Sequence, residues 1–172
     1  MNEREIKMGH KTITVLGDEV KVGDKAPDFT VLDKELHPVK LSDFKGRTVV
    51  INSVPSVDTS VCDIQVKRFN QEAAGLKDVA IMSISVDLPF ALARYCAAEG
   101  INAVKTTSDH RELDFGTKYG LVIKDMRLLS RAVIVVDGNG IVRYAQYVQD
   151  ITHTPDFDRA LAAIREVTGT GL

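Results

Sequence analysis

The 172 residues include no tryptophan, few aromatic residues (6%) and only two cysteines, Cys62 and Cys96. Two cysteines do not make the dense cross-linking of a small secreted domain, and a reducing compartment disfavours a permanent bond between them. If they pair, the bond reads as transient and catalytic. No apolar run approaches the roughly 18 residues that suggest a membrane span, and the longest, such as AVIVV at 132–136, have the length of strands. The first eleven residues mix charges and offer no apolar core of the roughly 7–15 residues found in export signals, so a cytoplasmic protein is expected. A long single-sign charge run is also missing. The 22 basic and 24 acidic residues nearly cancel to a formal charge of -2, which excludes a phosphate-binding footprint and argues against nucleic acid as a partner.

What is present is ordinary for a globular chain, 44% hydrophobic and 27% charged, and the length suits one domain over 1–172. KTITVL at Lys11–Leu16 and the apolar residues at 20–22 flank Gly17-Asp18, which predicts a small β-hairpin within an N-terminal extension, 1–23. Residues 29–32 form a short strand, followed by a turn over 34–38. TVVINS at Thr48–Ser53 is apolar and β-branched, as expected of a strand covered on both faces. From Asp58 the period changes: Val66, Phe69, Ala73 and Leu76 recur at helical spacing, and four residues back along the stripe lies Cys62. Residues 80–86 read as a second buried strand, 88–99 as a helix ended by Gly100, and 110–119 as a helix ended by Gly120. Strands at 131–136 and 141–148 join through Asp137-Gly138-Asn139-Gly140, and an amphipathic helix over 156–167 closes the chain. This order predicts an α/β fold, a mixed central sheet flanked by helices, and a thioredoxin-like core is the simplest architecture that matches it.

Residues 55–62, PSVDTSVC, place Cys62 after a buried strand and at the opening of a helix. Unpaired N–H groups of the first turn and the helix dipole favour an anion there, the reactive form of a thiol. The stripe turns Cys62 inward, so it should be shielded but reachable. Asp58 or Thr59 is placed to cap the helix, and the Thr59 hydroxyl can also point to the sulfur. Pro55 stiffens the turn. The residues alone leave open that Cys62 is an inert small hydrophobe, that Cys96 packs beside Leu92, and that Arg131 makes a surface ion pair.

Pro55, Thr59 and Cys62 match the PxxxTxxC signature of peroxiredoxins, and NSVPSVDTSVCDIQVKRF at 52–69 resembles the thiol peroxidase branch, the atypical two-cysteine peroxiredoxins. The likeness covers most of the chain, including Arg94-Tyr95-Cys96 and Arg131 before its apolar strand. It implies a thiol-specific peroxidase for hydrogen peroxide and organic hydroperoxides. Cys62 would be peroxidatic and Cys96 resolving, with Thr59, Pro55 and Arg131 framing the peroxide. It further implies a Cys62 sulfenic acid, an intramolecular Cys62–Cys96 disulfide recycled by thioredoxin, local unwinding to let the sulfurs meet, a homodimer, and no metal or organic cofactor.

A free thiol is roughly 3% ionised at pH 7, so full ionisation adds at most about thirtyfold in rate. The rest of the acceleration must come from positioning the peroxide and stabilising charge as the O–O bond breaks. Two competing readings remain. One pairs Cys62 with a histidine for acyl transfer, although His10, His37, His110 and His153 sit in no motif and lack zinc-ligand spacing. The other is a non-enzymatic thiol redox sensor, which shares the first chemical step.

Overall fold

The computed structural model describes residues 1–169. Its centre is the apolar strand foreseen at Thr48–Ser53, here β5, in a sheet that also takes β3 (Thr30–Asp33), β4 (Pro38–Lys40), β6 (Val79–Ser85), β7 (Lys105–Ser108), β9 (Ala132–Val136) and β10 (Val142–Tyr147). The order across this sheet is β10-β9-β5-β6-β7-β3-β4. β5, β6 and β7 run parallel, while β9 pairs antiparallel to β5 and β3 antiparallel to β7. The sheet is therefore mixed. Val49 and Ile51 enter one core cluster and Val50 the other, the two-residue alternation that pleating imposes.

Three helices cover one face: α1 (Ser60–Glu72), α2 (Pro89–Glu99) and α4 (Phe157–Thr168), through Val66 and Phe69, Leu92, and Leu161 and Ile164. The stripe residues Ala73 and Leu76 lie beyond the end of α1 but still pack against this cluster. On the other face α3 (Asp114–Tyr119) contributes Phe115 and Tyr119, which pack with Phe29 edge to face. Among the described residues no helix is long and apolar enough to cross a membrane.

Three expectations need correction. The N-terminal hairpin exists, but it joins β1 (Glu3–Met8) to β2 (Lys11–Leu16) through Gly9-His10, where Gly9 supplies the positive φ of 62°. Gly17, expected at the turn, instead lies against the backbone of Gly120, and residues 20–22 form no strand. A short strand, β8 (Val122–Ile123), pairs with β2 and completes a second, three-stranded sheet. The helix expected from 110 begins only at Asp114, because Leu113 adopts φ 52° and the Asp109 carboxylate accepts the N–H groups of Phe115 and Gly116. Finally, β7 (KTTS) escaped the sequence reading: its Thr106, Thr107 and Ser108 are buried although none is apolar.

Candidate active site

β5 and β6 are parallel neighbours, so the segments leaving their ends meet at the same edge of the sheet. Asp87, just past β6, anchors the segment leading into α1. Its Oδ1 accepts the Ser56 hydroxyl at 2.7 Å, and its Oδ2 accepts the Val57 N–H at 2.9 Å and the Ser85 hydroxyl at 2.8 Å. Pro55 is buried in that segment. Thr59 is the cap of α1, with extended backbone, and Asp58 is not. The Thr59 Oγ1 accepts the Cys62 N–H at 3.3 Å and donates to the Ser56 carbonyl at 3.1 Å. Its hydrogen is thus directed to the backbone, not to the sulfur.

Cys62 faces inward, as the stripe required, among Val57, Val66 and Phe69. It is 0% exposed. The expectation of a shielded but reachable sulfur is corrected accordingly: a reactant reaches Sγ only after local opening. The packing around it is not purely apolar. Arg131, 2% exposed, directs Nη2 to Cys62 Sγ at 3.3 Å. The guanidinium is fixed by two donors to the Ile151 carbonyl, Nε at 3.1 Å and Nη2 at 2.8 Å, and by Nη1 to Gln65 Oε1 at 2.8 Å. The surface ion pair considered for Arg131 is not what forms. Among the described residues no carboxylate lies within ion-pairing distance of it, and burying an unneutralised cation costs several kcal/mol. A negative charge developing on the facing sulfur would offset that cost, since opposite charges about 4 Å apart attract by about 4 kcal/mol at an effective dielectric of 20.

Gln65 and Asn52 were missed as members of this site. Gln65 donates from Nε2 to Asn52 Oδ1, and both side chains are fully buried. Signals existed: Gln65 is a polar residue one turn after Cys62 on the inward face, and Asn52 is a buried amide directly after the apolar run Val49, Val50 and Ile51. The second cysteine is elsewhere in the same core cluster. Cys96 Sγ lies 3.2 Å from Thr106 Oγ1 on β7, and neither cysteine is in a disulfide. The structure thus brings Cys62, Thr59 and Arg131 together and gives Cys96 a separate polar partner. The neighbour of Sγ is an arginine, where acyl transfer would need a histidine. His37 and His153 are exposed side chains near Asp33 and Asp150.

The Redoxin family model matches residues 21–164. A thiol peroxidase from Oceanobacillus iheyensis is 54% identical over 154 residues, 90% of this chain and 94% of the relative. One from Bacillus subtilis is 50% identical over 161 residues, 94% and 96% of the two chains. Among solved structures, a peroxiredoxin-like protein from Aquifex aeolicus superposes with a TM-score of 0.90 at 37% identity, covering 95% of this chain and 97% of the other. The mixed sheet and its helices are the thioredoxin-like fold of these relatives, and the chain belongs to the Redoxin family, among its thiol peroxidases.

Proposed function

We propose that this thiol peroxidase reduces hydrogen peroxide and organic hydroperoxides with Cys62 as the attacking sulfur, Cys96 as the resolving one and thioredoxin as reductant. The observation that carries this reading is the buried Arg131 guanidinium held 3.3 Å from Cys62 Sγ. The Cys62 thiolate attacks one peroxide oxygen, the S–O bond forms as the O–O bond breaks, and the departing alkoxide or hydroxide takes up a proton. Arg131 stabilises the charge that moves from sulfur to the leaving oxygen, and its bonds to Ile151 and Gln65 mean that little reorganisation is needed at that moment. Thr59 and Pro55 frame the approach, Thr59 by capping the first turn and turning its hydroxyl toward the peroxide as it enters. The sulfenic acid on Cys62 then condenses with the Cys96 thiol, releasing water and forming the disulfide, which a dithiol of thioredoxin reduces.

Closing that disulfide requires Cα atoms within about 7 Å and both sulfurs turned toward each other. Here one faces Arg131 and the other Thr106, so local unwinding of α1, α2 or both belongs to the cycle. The enzyme is read as a cytoplasmic homodimer that uses no metal or organic cofactor. The test is peroxide-dependent NADPH consumption in the presence of thioredoxin and its reductase. Cys62→Ser should abolish turnover, and Cys96→Ser should allow one oxidation of Cys62 but no thioredoxin-coupled recycling. Undiminished turnover in Cys62→Ser would overturn the reading, and oxidation of the native chain without repeated turnover would favour a redox sensor.

A further inference from the structure

Asp63 directly follows Cys62 on α1, and Tyr95 directly precedes Cys96 on α2. The two side chains meet: the Tyr95 hydroxyl donates to Asp63 Oδ1 at 2.7 Å. One turn along α1, Lys67 bridges the same helices, with Nζ 2.9 Å from Asp63 Oδ2 and 2.9 Å from Glu99 Oε2. The hydrogen bond favours both partners in their bound forms. Partial burial acts to raise Asp63, but the bonds from Tyr95 and Lys67 outweigh it and hold the carboxyl below the usual range. Tyr95 is pushed up by burial and then by Asp63, so the phenol stays a donor.

Resting on the peroxidase cycle proposed above, we propose that Tyr95 and Asp63 form a clasp that sets how fast oxidised Cys62 reaches Cys96, and hence how readily the enzyme is over-oxidised. The residues flank the two sulfurs in sequence, so unwinding at either cysteine displaces one half of the bond. A Cys62 sulfenic acid has two fates. Condensation with the Cys96 thiol expels water and needs the clasp open. Reaction with a second hydroperoxide needs only the limited opening that admits peroxide and leaves the clasp in place: sulfur gains an oxygen, the O–O bond breaks, an alcohol or water leaves, and the sulfinic acid is irreversible without a dedicated repair enzyme. A tighter clasp prolongs the closed state and favours the second fate. Tyr95 and Asp63 are therefore positioning residues for resolution and not for the attack on peroxide.

The decisive comparison is Tyr95→Phe against the native chain, because the ring stays and only the hydroxyl goes. Rapid-quench mass spectrometry of the full chain should show an unchanged rate of Cys62 oxidation. Formation of the Cys62–Cys96 disulfide should be about fivefold faster, equivalent to about 1 kcal/mol at 1.36 kcal/mol per tenfold. The peroxide concentration giving half over-oxidation per turnover should rise by a similar factor. Lys67→Met, which leaves the phenol bond in place, should move the same two readouts in the same direction by about twofold, in line with the small worth of exposed ion pairs. A structural packing role would lower stability without changing the ratio of the two fates. Disulfide formation in Tyr95→Phe equal to or slower than native would overturn the clasp while leaving the peroxidase reading intact. A native chain that never forms the disulfide would remove both.

Discussion

Among single side chains, Arg131 has the most to lose. A guanidinium buried with two donors on one carbonyl, one on an amide and one on sulfur keeps its orientation through the reaction. Arg131→Met should lower kcat/KM for peroxide by about 10²–10³, the effect of removing a preorganised charge-stabilising donor. That exceeds the roughly thirtyfold available from thiol ionisation alone, so the size of the loss tells the two roles apart. Arg131→Lys keeps a cation but has one nitrogen for three differently placed acceptors, and should recover only part of the activity. Steady-state assays with thioredoxin, alongside circular dichroism to verify folding, measure this. A folded Arg131→Met enzyme within threefold of native would show that the arginine is structural. The sequence pointed to Arg131 through its resemblance, whereas Gln65 and Asn52 stayed hidden because a polar residue on a buried face reads the same whether it orients a neighbour or merely satisfies itself.

At the scale of elements, periodicity located those whose buried faces are apolar. β5 has the bounds expected of it, α1 begins two residues later than Asp58, and α2 and α4 begin one residue later than foreseen. It failed where structure is held by polar groups. β7 is strand because the parallel ladder with β6 and the antiparallel one with β3 both claim it, a tertiary fact that KTTS does not encode. The start of α3 is likewise set by Asp109, whose carboxylate burial pushes up to about 6 against the N–H bonds of Gly116 and Phe115. Its folded pKa therefore lies above the unfolded value of 3.8. The folded state holds a proton that the unfolded chain has already released, so stability falls as pH rises from about 4 to about 6 and levels off above that. The contribution is of order 1–3 kcal/mol. Urea titrations across this window should give a native curve with that downward component and an Asp109→Asn curve without it. Parallel curves would show that Asp109 titrates normally.

Over the whole molecule, the N-terminal hairpin reaches the site. Lys7 on β1 donates its N–H to Gln149 O at 2.7 Å and accepts the Ile151 N–H at 3.0 Å, while the Ile151 side chain packs with Ile6, Val15 and Ile123. The Ile151 carbonyl is the one that holds Arg131. A cavity made there should therefore reach the chemistry indirectly. Ile6→Ala is expected to cost about 2–4 kcal/mol of stability, speed hydrogen exchange at the Ile151 amide and lower kcat/KM several-fold. Faster exchange at Ile151 with unchanged kcat/KM would break the proposed link between hairpin and arginine.

The sequence by itself determined the alternation of strands and helices, the inward direction of Cys62 at a helix start and the signature that singled out Pro55 and Thr59. These are local matters of period, capping and turn chemistry, encoded within a dozen residues. Only the tertiary structure decided that Arg131 faces the Cys62 sulfur with Gln65 holding its guanidinium, that Asp87 anchors the segment before it, and that a hairpin at the other end of the chain secures Ile151. Those contacts join residues 30 or more positions apart, or depend on the packing around them, and local preferences do not specify which distant partner a buried polar group will find.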